Sequence, residues 1–392
     1  MEDITRWELP PRIIRAATEA NLRNCDKILT LSVGDIQRKT NLSQSDSKLL
    51  TKTASKKVLG SGKQYHSALQ LLRRENCSPT AMTKVTSCGC PTLDRFLRGG
   101  ILIPGLTEIA GESASGKTQF CLQLSLAVQL PYKLGGLQSG AVYICTEGSF
   151  PARRLHQMIP FFENRLKEHQ LESIKFSDNV YVEHAMTIEE LQDIMENTLP
   201  RLLSRGEVRL VIIDSIAALF RSEFDIKEAA QRATQLHKFG RQLLRYGSIY
   251  DTGFICVNQV SDTIDPRTFD VQQGEKNIVR SVIPALGLAW SNVVNIRLIL
   301  SRCEYLYNSI IKNDDSEFSE LTPESVRFIS HFPVIRKMKV LLAPHLRMSE
   351  SYFLVDGLGI KGIENVTTYI ESQMRKLKPS NDDINQGEQM HL

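Results

Sequence analysis

The chain has 392 residues, 42% hydrophobic and 23% charged, which is enough for two or three domains around a large core. Mean hydropathy is −0.20, and no apolar run approaches the ~20 residues that span a bilayer, so a membrane-spanning reading is excluded. The opening MEDITRWELPPR is acidic and has no signal-peptide apolar stretch, so secretion is not expected. Eight scattered cysteines then read as mostly buried thiols in a reducing compartment. Cys88-Gly89-Cys90 lacks C-x-x-C spacing and has no matching second pair, so zinc is not expected. The net charge of +4 is mild, but residues 1–76 carry 14 basic and 8 acidic side chains and the rest 34 and 36. A basic first fifth fits either a small module that meets an anionic surface or an ordinary solvated helical surface.

Residues 10–58 read as short helices. Pro10 and Pro11 stand where a helix starts, and Ile13, Ile14, Ala17 and Leu22 supply its apolar face. Ser32-x-x-Asp35 and Ser43-x-x-Asp46 read as capping boxes with Asp in place of Glu. Leu49, Leu50, Ala54 and Val58 keep roughly helical spacing, and Gly60-Ser61-Gly62 ends the pattern. The polar stretch to about residue 80 reads as a linker.

From about residue 100, short apolar runs alternate with longer helical patterns. The runs are Leu106–Ala110, Ala141–Cys145, Leu210–Ile213, Gly253–Val257, Val293–Leu300 and Val334–Leu342. Gln119–Leu130, Ile188–Leu203 and Ala229–Tyr246 read as helices. Such alternation predicts an α/β fold, a twisted and mostly parallel sheet with helices on both faces. Tyr352–Ile363, around Asp356-Gly357, reads as a final hairpin, and acidic residues 308–322 as a surface insertion. The end of the chain has the composition of disorder. The expected organisation is a helical domain over 1–59, a linker over 60–80, an α/β domain over 81–364 and a flexible tail over 365–392.

The strongest motif is Gly111-Glu112-Ser113-Ala114-Ser115-Gly116-Lys117-Thr118, which matches G-x-x-x-x-G-K-[ST] throughout. A short apolar strand precedes it and an amphipathic pattern follows. In that setting backbone N–H groups turn inward around phosphates, and the helix N-terminus adds its partial positive charge. Lys117 is expected on the β- and γ-phosphates and Thr118 on Mg²⁺. Leu210-Val-Ile-Ile213-Asp214 is a buried strand ending in an acid, which suits the metal side of such a site. Glu147 ends another strand, where a carboxylate can polarise water. Gln259 ends a third, where an amide can sense the γ-phosphate.

These four elements, in this order, resemble the RecA-type recombinases, and within them the eukaryotic recombinase paralogues. The wording TEGSF…RRL and NQV and the strings PRIIRAA, GAVYICTE and LLSRGEVRLVIIDSIAALFRSEFD carry the likeness, over residues 10 to 363 or thereabouts. The resemblance implies a RecA-like P-loop ATPase core with a small all-α N-terminal domain. It implies ATP and Mg as cofactors, with Glu147 the catalytic base, Thr118 and Asp214 the metal-side pair, and Gln259 the sensor. Arg154 matches the arginine that stacks on adenine. Weak DNA-dependent ATPase activity in homologous-recombination repair follows, in the nucleus and also the cytoplasm. The partners implied are the C-type recombinase paralogue as a stable pair, the main recombinase, and single-stranded or branched DNA. The alternative is an assembly scaffold in which nucleotide is structural.

Two DNA loops are expected, near Arg221–Arg232 and Ser261–Pro284. The basic candidates are Arg221, Lys227 and Arg232 in the first, and Arg267, Lys276 and Arg280 in the second. Both loops are mixed in charge, so DNA affinity is expected to be weak and independent of base sequence. Tyr65-His-Ser-Ala68 matches the family's linker motif, in which Tyr65 and Ala68 would fill two pockets on a neighbouring ATPase domain. The family's nucleotide-capping aspartate aligns with Leu342, so the face that closes over a neighbour's nucleotide is expected to be altered.

Overall fold

The computed structural model describes residues 4–59, 69, 84–224, 226–263, 281–303 and 333–375. It divides into two units, Met1–Met82 and Thr83–Leu392. Among the described residues no helix is long and apolar enough to cross a membrane.

The first unit is helical, with helices at Pro11–Glu19, Cys25–Leu29, Val33–Thr40 and Gln44–Leu59. Pro11 takes the first helical position, where its missing N–H costs nothing. Ile13, Ala17, Leu22, Ile28, Ile36, Leu50 and Ala54 close a core with Ile4 and Trp7. Ser32 and Asp35 form a complete capping box. The second expected box is only half made. Ser43 Oγ accepts the Asp46 N–H at 3.1 Å, but the Asp46 carboxylate turns to Arg12 at 2.8 Å instead of reaching back. A guanidinium offers the carboxylate a stronger partner than an amide does.

The second unit begins with an antiparallel ribbon of β1 (Lys84–Thr86) and β2 (Ile101–Ile103). The strands that follow are β3 (Gly105–Gly111), β4 (Gly140–Cys145), β5 (Val180–His184), β6 (Val208–Asp214) and β7 (Gly253–Asn258). Next come β8 (Val260–Thr263), β9 (Ser281–Pro284), β10 (Ile296–Arg302), β11 (Arg336–Leu342), β12 (Glu350–Asp356) and β13 (Gly359–Ile363). Nine of them form one sheet in the order β13-β12-β11-β10-β3-β7-β6-β4-β5. The six from β10 to β5 run parallel, and β11, β12 and β13 extend the sheet antiparallel. The expected mostly parallel sheet is therefore correct.

Both faces of the sheet are covered, which is why its central strands read as continuous apolar runs rather than alternating ones. One core packs Phe120, Leu124 and Phe162 on Ile109, Tyr143, Ile255 and Leu298. The other packs Leu191, Leu243 and Trp290 on Val142, Ile144, Val211, Ile213 and Phe254. One charge lies inside this sheet: Glu108 on β3 is fully buried. It is paired with Arg297 on β10 and accepts from Asn258 Nδ2 at 2.5 Å.

Some elements differ from expectation. Residues beyond 364 do not begin as a flexible tail, because Val366–Arg375 is a helix with Ile370 fully buried. Val366, Tyr369 and Ile370 form a stripe at helical spacing that packs on Ile335, Leu354 and Ile363. Ala152–Glu168 is a helix despite Pro160 in its interior, held by Leu155, Met158, Ile159, Phe162 and Leu166 on its buried face. Edge strand β5 has no long apolar run to announce it. The final hairpin is present as β12 and β13. The insertion at 308–322, the linker apart from Leu69, and the end of the chain after residue 375 lie outside the described residues.

Candidate nucleotide site

The P-loop leaves the C-terminal end of β3 and enters the helix Lys117–Ala127. Gly116 caps that helix in the left-handed region with φ 102°, which a β-carbon disfavours. At Gly111 a β-carbon would lie 2.2 Å from the Leu300 carbonyl oxygen of β10, so only glycine lets the loop pass the strand end so closely. Both glycines of the motif are thus required by the backbone before any ligand is considered.

Three side chains from three elements meet beside this loop. Thr118 Oγ1 donates to Asp214 Oδ2 at 2.8 Å, although β7 separates β3 from β6 in the sheet. Tyr143 on β4 donates to the same oxygen at 2.6 Å. Burial raises the Asp214 carboxyl above the ordinary range, and the hydrogen bonds from Tyr143 and Thr118 work against that. Burial also pushes the Tyr143 hydroxyl well above its usual value. Lys117 Nζ donates to the carbonyls of Gly111 at 2.8 Å and Glu112 at 2.7 Å. Its partial burial lowers its pKa, while Asp214 and Glu147 counter the shift.

Glu147, just past β4, is the next carboxylate. Its Oε1 accepts from Ser215 Oγ at 2.8 Å and from Gln259 Nε2 at 2.7 Å. Ser215 follows Asp214 through a cis peptide, and its N–H and C=O are both bound by the Thr146 hydroxyl, at 2.7 and 2.6 Å. Lys117, Thr118, Glu147, Asp214 and Gln259 are therefore brought together.

Arg154 lies across a cleft of about 420 Å³ lined by Gly116, Lys117, Thr118, Gln119, Arg336 and Asp356. It donates to Gln119 Oε1 at 2.6 Å and to the carbonyls of Asp356 and Gly357 at 2.5 and 2.9 Å. Those carbonyls lie at the β12–β13 turn, so that turn holds the guanidinium beside the first turn of the P-loop helix. Arg336 donates to the Ala114 carbonyl at 3.2 Å, and burial followed by Arg302 lowers its pKa. Arg302 in turn lies 3.5 Å from the Glu112 carboxylate.

The residues fit Mg-ATP. Thr118 and Asp214 present hard oxygen donors at one point, as Mg²⁺ prefers. Lys117 is held at the mouth of the loop by neutral carbonyls rather than by a carboxylate. Among the described residues no cluster of three His, Cys, Asp or Glu side chains forms a separate metal site. Cys88 and Cys90 are buried thiols, with Cys90 Sγ accepting the Gly362 N–H.

Sequence reasoning missed Tyr143, Ser215 and Arg336. Tyr143 left a faint sign as the one polar tip in an apolar run. Arg336 left none, because only strand order carries β11 to the P-loop. Of the expected DNA contacts, Arg221 ends the helix Ile216–Ser222, Lys227 lies in a 3₁₀ turn and Arg232 lies on the helix Ala229–Tyr250. The first loop is therefore mostly helical. Arg221 is exposed and donates to Gln259 Oε1 at 2.8 Å. Arg267, Lys276 and Arg280 lie outside the described residues, as do Tyr65 and Ala68. The bases of the second loop pair as the antiparallel strands β8 and β9. Leu342 ends β11 and is exposed.

This sheet, with its P-loop, acid-tipped β6 and antiparallel extension, defines a P-loop protein of RecA-like fold. A Rad51 family model matches residues 80–306, and an XRCC3/RpoA-like helix-hairpin-helix model matches residues 4–58. The chain is 37% identical to the DNA repair protein XRCC3 of Mus musculus, over 94% of this chain and 100% of that one. It is 38% identical to XRCC3 of Bos taurus, over 92% and 98%, and 33% to the DNA repair protein rhp57 of Schizosaccharomyces pombe, over 70% and 80%. The chain belongs to the Rad51 family, with an XRCC3-like helical domain at its N-terminus. The paralogue likeness read from the sequence strings is to these XRCC3 proteins.

Proposed function

We propose that this chain is an ATP-binding recombinase paralogue that acts in homologous-recombination DNA repair, with weak ATPase activity. The observation that carries the reading is the meeting of Thr118, Asp214 and Lys117 at the P-loop, with Glu147 and Gln259 alongside. A bound nucleotide supplies the phosphoanhydride, and Mg²⁺ neutralises its charge. Around it the chain's own groups divide the work. Lys117 and the loop N–H groups hold the phosphates, while Thr118 and Asp214 hold the metal side. Arg154 covers the base. Glu147 takes the proton of water, with Gln259 setting its orientation. Retention of Glu147 beside the P-loop favours this over the scaffold reading, since structural nucleotide needs no base there.

The linker residues Tyr65 and Ala68 dock on the C-type recombinase paralogue, and the pair supports the main recombinase on single-stranded or branched DNA. The exposed Leu342 stands where a cap on a neighbour's nucleotide needs charge, which fits a chain at one end of a hetero-oligomer. The workplace is the nucleus, with a cytoplasmic pool. The test is Lys117→Ala. It abolishes binding of fluorescent ATP to the purified chain, and undiminished affinity overturns the reading.

A further inference from the structure

Asp214 is held through one of its two oxygens. Oδ2 accepts from Thr118 Oγ1 at 2.8 Å and from the Tyr143 hydroxyl at 2.6 Å. Each oxygen of an ionised carboxylate has two acceptor positions, so these donors fill Oδ2. Oδ1 has no donor among the described residues. The two donors come from different elements. Thr118 rides on the first turn of the P-loop helix, and Tyr143 stands on β4, the strand beside β6. One donor alone is a pivot about which a carboxylate can swivel, whereas two donors from two elements fix its plane. The Tyr143 ring is itself pinned. It is 1% exposed, lies in the core between the P-loop helix and the sheet, and meets Phe150 edge-on with ring centroids 5.1 Å apart. The Asp214 backbone is tied to the end of the same strand, since its carbonyl accepts the Thr146 N–H at 3.0 Å.

From this geometry we infer that Tyr143 is a positioning residue for the metal side of the nucleotide site. By anchoring Asp214 Oδ2 it offers Oδ1 in one orientation, and it thereby makes the site select Mg²⁺ over Ca²⁺. The inference rests on the nucleotide reading above and adds to it the choice of cation. Mg²⁺ demands near-ideal octahedral geometry at short range, so a carboxylate that swivels serves it badly. Ca²⁺ accepts longer and more variable oxygen contacts, so the same looseness costs it little. Tyr143 acts through Asp214, as the outer partner of a metal ligand does when it fixes which lone pair is presented.

The test follows binding of a fluorescent, non-hydrolysable ATP analogue to the purified chain, titrated from EDTA with MgCl₂ or with CaCl₂. In the unaltered chain Mg²⁺ supports binding at lower free concentration than Ca²⁺. Tyr143→Phe raises the half-saturating Mg²⁺ about tenfold, the low end for loss of an outer partner. It leaves the half-saturating Ca²⁺ within about a factor of two and does not change affinity in EDTA. In Asp214→Asn, adding Tyr143→Phe changes neither requirement further, because the two residues act as one unit. Phe150→Leu, which frees the ring and keeps the hydroxyl, shifts the Mg²⁺ requirement in the same direction with Ca²⁺ unmoved. That variant decides the matter if Tyr143→Phe shows no cooperative thermal unfolding. An Mg²⁺ requirement that stays put, or a Ca²⁺ requirement that rises as much, overturns the inference and leaves Tyr143 a purely structural residue. Failure of the unaltered chain to bind the analogue with either ion removes the nucleotide reading and this inference together. Normal Mg²⁺-dependent binding with an unmoved variant removes this inference alone.

Discussion

Replacing Tyr143 with phenylalanine removes one hydroxyl and keeps a ring that is only 1% exposed. That hydroxyl donates to Asp214 at 2.6 Å. Hydrogen bonds to charged groups contribute about 1.5–3 kcal/mol. Thr118 still donates to the same oxygen at 2.8 Å, so the lower half of the range applies. A loss of about 2 kcal/mol falls on the ionised form and pushes the carboxyl further up. Burial already raises the Asp214 pKa in the folded state. The folded chain thus holds this proton more tightly than the unfolded chain. Stability from this group is greatest below the unfolded pKa and falls as pH rises through the folded one. Phenylalanine raises the folded value further, so the deficit grows with pH. Thermal unfolding of the full chain from about pH 5 to about pH 8 checks this. The midpoint should drop by about 4–8 °C at neutral pH, with the gap narrowing toward acid. A gap that ignores pH, or one below about 1 °C at neutral pH, refutes the claim that this hydroxyl stabilises a buried carboxylate.

Arg297→Met strands the buried Glu108 carboxylate and should lower stability by about 3–5 kcal/mol, read as a shift of the urea midpoint. A midpoint within error of the original would refute the claim that the Arg297 pairing with Glu108 holds these strands together. Tyr65→Ala should reduce co-purification with the C-type recombinase paralogue, and unchanged yield counts against the linker motif. Affinity for single-stranded DNA should fall about ten- to a hundredfold between low and physiological salt, because phosphate contacts release counterions. A flat profile would remove backbone contacts from the account.

What could be read without coordinates was what lies close together along the chain. The P-loop is eight consecutive residues, and its two glycines and lysine announce a backbone shape and a charge together. Asp214 and Glu147 were legible because each ends an apolar run, and in a parallel sheet such ends share one edge. Tyr143 and Arg336 depend on strand order instead. Nothing in the sequence shows that β4 brings its one hydroxyl to the tip of β6, or that β11 returns beside β3 through β10. The Arg221–Gln259 bond was not legible for a different reason, since the two residues lie 38 positions apart along the chain. The helix after residue 364 was overlooked because its apolar stripe is short and borders a polar tail.

Gln123, on the P-loop helix, reaches both ends of its unit. Its Nε2 donates to the Cys88 carbonyl at 2.7 Å, and its Oε1 accepts the Ile360 N–H at 2.6 Å. The side chain is 1% exposed, so either bond left unmade strands a polar atom away from water. A nascent chain therefore cannot finish seating this helix until residue 360 has left the ribosome. Premature stop codons upstream of that point should yield products that quality-control proteases clear, even when every motif of the phosphate loop has been translated.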